Sequence, residues 1–432
     1  MKRTLLITLA LVSIFANAQT DTTQFMRQLM ALPGINDVTV LKSSCFNEKY
    51  AVTITQNVDG ETPAKGTFQQ RLFIGFKDFN RPTVIVTEGY EASYAKSPNY
   101  KIELCDLFDA NVIVCEYRYF AESTPTPCNY DYLTVENSLR DLHNVRQTFG
   151  QLLKGKWIAT GTSKGGMTTM FYRTFYPNDV DVSVPYVAPL NSAVEDGRHE
   201  PFIAKQVGTK AERKAVKKIQ DEMMKRKEAM LPLFQEYCKE HNYQFYIPLE
   251  DVYDYCVFEY SFAYWQYKSY HKTVPSAESD NENLLHDFIG ISGPDYFAHP
   301  NSFYSFDIQA ARELGYYGYD LKPFKKKASV TSTHGYLSQI MLSPEARNIQ
   351  FSADLYNRTV DYLKSNDPTM LFIYGEDDPW SASGVCSWLD TSHKHNMKIY
   401  VQPHGDHGSC INDMPIDMKQ DIIDKINSAI NQ

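Results

Sequence analysis

Hydrophobic and polar positions follow two regimes along this chain. Between about residues 68 and 190 short apolar runs rich in β-branched side chains recur: RLFIGF (71–76), TVIVTEG (83–89), NVIVCEY (111–117), KWIATG (156–161) and VSVPYVAP (182–189). Runs this short, apolar on both faces, are the pattern of strands buried inside a sheet. Between the third and fourth, Leu133 to Leu153 places apolar residues at helical spacing. Strands alternating with helices predict an α/β fold with a mostly parallel sheet covered on both faces.

From about Asn191 to Thr333 the strand pattern lapses. KAERKAVKKIQDEMMKRKEAMLPLFQEYCKEH (210–241) predicts a charged amphipathic helix or helix pair, and VYDYCVFEYSFAYWQYKSYHK (252–272) an aromatic-dense helical stretch. TMLFIYG (369–375) and MKIYVQP (397–403) then restore the strands, and MKQDIIDKINSAI closes the chain as a helix. The expectation is a sheet domain in two parts, 19–190 and 336–432, interrupted by a helical cap over 191–335. The spacing from Tyr253 to Tyr270 favours core packing over the lining of a pocket.

Composition narrows the partners. Lys2 and Arg3 precede an apolar run from Leu5 to Phe15 and then Ala16-Asn17-Ala18, so residues 1–18 read as a secretory signal peptide, and the protein as exported to periplasm or medium. That run falls short of the roughly 20 residues needed to cross a bilayer, so no stable membrane insertion is expected. The net charge is −9 at pH 7, which repels a phosphate backbone and argues against nucleic acid as a partner. Eight cysteines in an exported chain permit disulfides, although spacing assigns no pairs and Cys115 reads as a buried small hydrophobe. With neither CxxC nor HExxH in the sequence, no metal is called for.

The chemistry gathers at a strand-to-helix junction. Gly161-Thr162-Ser163-Lys164-Gly165 matches the GxSxG nucleophile elbow, in which a serine on a sharp turn exposes its hydroxyl above the sheet. The predicted strand ends at the first glycine and the helix MTTMFYRTFY begins after the second, which is the context the motif requires. A serine hydroxyl becomes nucleophilic when an imidazole takes its proton and a carboxylate supports that imidazole. In such folds the order is serine, acid, histidine. Asp378, in the loop after TMLFIYG, is the expected acid, with Asp377 as runner-up. His407, after MKIYVQP, is the expected base in preference to His404, while His393 and His395 read as surface residues. The oxyanion donors expected are the backbone N–H groups of Lys164 and, from the loop after an early strand, Tyr90. Glu88 stands beside them, either turned into a hydrogen-bonded position or binding a cation.

Four stretches carry a wider likeness: TEGY (87–90), CEYRYFAESTP (115–125), TGTSKGGMT (160–168) and YGEDDPW (374–380). Together they resemble the secreted, mycelium-type serine tripeptidyl aminopeptidases, with a more distant similarity to the prolyl carboxypeptidase and lysosomal dipeptidyl peptidase group. The resemblance implies an α/β-hydrolase fold and a triad of Ser163, Asp378 and His407. It also implies removal of short peptides from free N-termini, with no cofactor. Tyr117 stands where the relatives more often have histidine, a departure that bears on fine substrate preference rather than on the triad. An exopeptidase must bind a free α-ammonium, for which a partly desolvated carboxylate is the natural partner; Glu88, Glu116 and Glu122 are the candidates. Peptides are thus the expected substrates. The alternatives are an esterase or lipase with the same triad, and a non-catalytic binding protein on a hydrolase fold.

Overall fold

The computed structural model describes residues 22–270 and 274–431; the leader predicted over 1–18 lies outside them. Among the described residues nine strands form a single sheet: β1 (Ile35–Leu41), β2 (Glu48–Asn57), β3 (Thr67–Phe76), β4 (Thr83–Thr87), β5 (Asn111–Cys115), β6 (Trp157–Thr162), β7 (Val182–Tyr186), β8 (Met370–Gly375) and β9 (Met397–Gln402). Their spatial order is β1-β2-β3-β5-β4-β6-β7-β8-β9. The first three pair antiparallel and β3 joins β5 antiparallel. From β5 to β9 every pairing is parallel.

Side chains of the central strands alternate between two cores, as the period of two requires. Ile85, Ile113 and Phe372 point into one, packed by Leu139, Leu142 and Phe171 of the helices Val135–Phe149 and Lys164–Phe175. Val84, Val86, Val112 and Leu371 point into the other, closed by Ile422 and Ile426 of the helix Ile416–Ile430. Burial on both faces is why these strands read as continuous apolar runs. The strands β1 and β2 escaped that reading because they are half-solvated; β2 alternates buried with partly exposed positions and β1 forms an exposed edge.

The helical cap lies between β7 and β8, and its side chains form a third hydrophobic cluster that also takes in Tyr117, Tyr119, Phe120 and Leu133 from the stretch after β5. The charged stretch proves to be a helix pair, Lys210–Lys225 and Lys227–Glu240, broken at Arg226. A reciprocal capping box between Thr209 and Glu212 starts the first of them. The aromatic helix Leu249–Gln266 buries Val252, Tyr253, Cys256, Val257 and Tyr260 completely. By contrast, Asp354–Ser365 packs on the sheet domain through Leu355 and Leu363. Trp380, just beyond β8, belongs to the cap's cluster and so joins the cap to the sheet at the carboxyl end of the strands. Among the described residues, all eight cysteines are free thiols and no helix is long and apolar enough to cross a membrane.

Candidate active site

The elbow takes the form its glycines dictate. Ser163 sits between β6 and the helix Lys164–Phe175 at φ 58° and ψ −120°, a backbone conformation strained for a residue with a side chain. The turn is held by Ser163 N–H donating to the Tyr186 carbonyl at 2.9 Å and Met167 N–H to the Ser163 carbonyl at 2.9 Å. A Cβ on residue 161 would lie 2.4 Å from the Gly165 carbonyl, so glycine is required there.

The loops after β8 and β9 supply an acid and an imidazole. Asp378 and His407 are both buried, and His407 Nδ1 stands 2.8 Å from Asp378 Oδ2. The other oxygen, Oδ1, accepts from Trp380 N–H at 3.1 Å, which fixes the carboxylate's rotation. His407 is anchored by its own N–H, which donates to the Gln266 carbonyl at 3.0 Å, the last residue of the aromatic cap helix. Its Nε2 is buried and has no hydrogen-bond partner among the described residues. An orphaned buried ring nitrogen is costly in a structural role. His407 and Ser163 line one cavity of about 1440 Å³ between sheet and cap.

Asp377 and His404 do other work. Asp377 accepts from Gly208 N–H at 2.6 Å and pairs with Lys268 at 3.1 Å, tying cap to sheet. His404 is exposed, its ring 3.6 Å from the Glu376 carboxylate. His393 and His395 are exposed, as their sequence position suggested.

The two segments expected to donate to an oxyanion touch each other. Lys164 is buried, and its Nζ donates to the Gly89 carbonyl at 2.6 Å, one residue before Tyr90. The ammonium nitrogen lies over four aromatic rings: 3.8 Å from the centroid of Tyr117, 4.9 Å from Phe120, 5.3 Å from Tyr90 and 5.8 Å from Phe306. Burial holds its pKa well below the ordinary lysine value. A Cβ on residue 89 would lie 2.6 Å from Lys164 Cβ, so glycine allows the β4 loop to rest on the start of the elbow helix. Tyr117 therefore packs behind the elbow against Lys164 and is not among the residues lining the cavity.

The three carboxylates considered for an ammonium part company. Glu116 is fully buried in a structural network, where it pairs with Arg71 and accepts from Ala92 N–H at 3.1 Å and Ser123 Oγ at 2.8 Å. Glu122 is exposed on the surface beside Arg71 and Lys96. Neither lines the cavity, so two of the three expectations are corrected. Glu88 does line it, bonded by the Tyr94 hydroxyl, and burial pushes its carboxyl up to about 7. A carboxyl so shifted opposes developing negative charge less than an ordinary carboxylate would. Among the described residues, no cluster of three or more His, Cys, Asp or Glu side chains is arranged to hold a metal ion.

Sequence reasoning missed Glu259. It lies in the Leu249–Gln266 helix on the face shared by Ala263, Gln266 and Tyr267, all of which line the cavity, so this helix serves core and cavity with opposite sides. The available signal was an acid flanked by Phe258 and Tyr260 in the aromatic half of the helix.

The family model described as PS-10 peptidase S37 matches residues 18–428. A prolyl tri/tetrapeptidyl aminopeptidase from Streptomyces mobaraensis is 30% identical over 395 residues, spanning 89% of this chain and 80% of that protein. Among solved structures, VinJ aligns at 12% identity over 91% of this chain and 99% of its own, with a TM-score of 0.43. A proline iminopeptidase from Mycobacterium smegmatis aligns at 12% identity with the same coverage and a TM-score of 0.42.

Proposed function

The chain belongs to the peptidase S37 family of serine peptidases, and from that premise we propose that it is an exported exopeptidase releasing short peptides from free N-termini through an acyl-enzyme. Ser163 attacks the scissile carbonyl while His407 Nε2 takes the hydroxyl proton. Asp378, bonded to Nδ1 at 2.8 Å, holds the imidazole in the tautomer that leaves Nε2 free to accept it. The backbone N–H groups of Lys164 and Tyr90 receive the negative charge of the tetrahedral intermediate. His407 then returns the proton to the leaving amine, and water repeats the cycle to release the peptide acid. No cofactor enters this scheme.

The observation that carries the reading is the buried His407–Asp378 pair, whose Nε2 has no hydrogen-bond partner among the described residues, lining the same cavity as a strained elbow serine. The cap above that wall favours small, unfolded substrates. The leader over residues 1–18 supports export. The test is mass spectrometry of products from a peptide mixture with free and with acetylated N-termini. The reading expects short N-terminal fragments from the free peptides and almost none from the blocked ones; equal cleavage of both would refute it.

A further inference from the structure

On the exopeptidase reading, something in the cavity must receive the substrate's α-ammonium, and we infer that Glu259 is that residue. Its side chain is 94% buried, being 6% exposed. The hydroxyls of Tyr317 and Tyr319 both donate to its Oε2 at 2.8 Å, and no described residue donates to Oε1. Among the described residues no lysine, arginine or histidine forms an ion pair with it, although Asp254 on the same helix is paired with Lys227 at 2.7 Å. Burial pushes the Glu259 carboxyl up to about 7, the expected state of an acid kept out of water without a counter-charge. A desolvated carboxylate that keeps hydrogen-bond donors yet lacks a cation is unfavourable as structure. Its missing partner is a cation arriving through the cavity it lines.

The position also distinguishes Glu259 from Glu88. On the proposed mechanism Glu88, two residues before the oxyanion donor Tyr90 and lining the cavity, would stand near the reacting carbonyl, where an ammonium belongs only to a substrate releasing a single amino acid. Glu259 lies at the far end of an aromatic wall: His407 to Trp380 at 6.3 Å between ring centroids, Trp380 to Tyr317 at 5.3 Å, then the Tyr317 hydroxyl bond. Each substrate residue advances an extended chain by about 3.3–3.6 Å. A socket at that remove suits release of several residues at a time, with the peptide laid along Trp380 and Tyr316 and its ammonium against Glu259. Tyr296, whose hydroxyl lies 3.2 Å from that of Tyr317, continues the phenolic lining around the socket.

The test compares kcat/KM for a chromogenic tripeptide amide with a free N-terminus against the same amide acetylated, in wild type, Glu259→Gln and Glu88→Gln. Wild type is expected to prefer the free substrate by about a hundredfold or more, the scale of losing one partner of a desolvated charge pair. Glu259→Gln should bring that ratio to within about fivefold, with Ser163 still labelled by a fluorophosphonate to show that the fold survives. A wild-type ratio retained in Glu259→Gln, or lost only in Glu88→Gln, overturns the assignment. A wild type without any preference refutes the exopeptidase reading beneath it. A crystal of Ser163→Ala soaked with a free tripeptide gives an answer even where the glutamine variant misfolds. The α-nitrogen within hydrogen-bond distance of Glu259 supports the inference, and the nitrogen at Glu88 or in solvent overturns it.

Discussion

Replacing Lys164 by methionine separates what this lysine does for activity from what it does for stability. Methionine keeps the length and the contacts with Tyr117 and Phe120 but removes the donor that holds the Gly89 carbonyl at 2.6 Å. An unsatisfied buried carbonyl costs about 1–3 kcal/mol. The variant also escapes burying an amine to which no carboxylate among the described residues is bonded, which offsets much of that loss. Net unfolding free energy at pH 7 should therefore change by no more than about 2 kcal/mol. Activity should respond more strongly. With its tie cut, the Gly89–Tyr90 segment no longer holds the Tyr90 N–H in place, and removal of one oxyanion donor lowers kcat by about 10²–10³. Partial displacement should thus cost about 10- to 100-fold in kcat, with KM little changed. The assay is steady-state kinetics on a tripeptide amide beside denaturant unfolding. The sign of the pH dependence adds a control. A lysine whose folded pKa is depressed binds fewer protons than its unfolded form, so wild type gains stability as pH rises toward the ordinary lysine value, and the methionine variant lacks that gain. A kcat within twofold of wild type would refute the coupling of Lys164 to the oxyanion site.

Three further outcomes follow from the same geometry. Asp378→Asn should preserve the fold yet lower kcat by about 10³–10⁴, because an amide does not hold the tautomer that leaves His407 Nε2 free to accept a proton; stopped-rate kinetics beside thermal unfolding checks it. Gly161→Ala should destabilise by about 3 kcal/mol in denaturant unfolding, since its methyl would lie 2.4 Å from the Gly165 carbonyl and the elbow must shift. Glu259→Gln should gain on wild type as pH rises. The wild-type carboxyl, raised from 4.5 to about 7 in the folded chain, gives a contribution present below pH 4.5 and lost on the way up through pH 7. Between pH 5 and 8 the difference in unfolding free energy should move toward the variant by roughly 2–3 kcal/mol; a constant difference contradicts the pKa shift.

How much of this was legible in the sequence depended on whether the signal was local. The central strands were readable because burial on both faces turns them into unbroken apolar runs, as in TVIVT and NVIVC. β1 and β2 were not, because a half-solvated edge ribbon such as INDVTVL carries too little hydrophobic contrast. The elbow serine announced itself because two glycines and a strand-to-helix change meet at one point. Asp378 and His407 were expected from chain order, but telling them from Asp377 and His404 depends on which loop residue turns inward, and the Asp377–Lys268 pair joins residues 109 positions apart. Two of the three carboxylates were misjudged for the same reason. Glu116 looks available in CEYRYF, but Arg71, 45 positions earlier, neutralises it. Glu259 looked like core, and its place on the cavity wall depends on Tyr317 and Tyr319, about sixty positions later. Lys164, read as needing no chemistry of its own, is the link between elbow and β4 loop.

Covalent labelling addresses the central claim most directly. Wild-type protein treated with a fluorophosphonate and digested should yield one modified peptide, bearing the adduct on Ser163, with labelling lost in Ser163→Ala and slowed at least a thousandfold in His407→Ala. Peptide cleavage that persists in Ser163→Ala, or an adduct formed on another residue while Ser163 stays unmodified, would contradict the account.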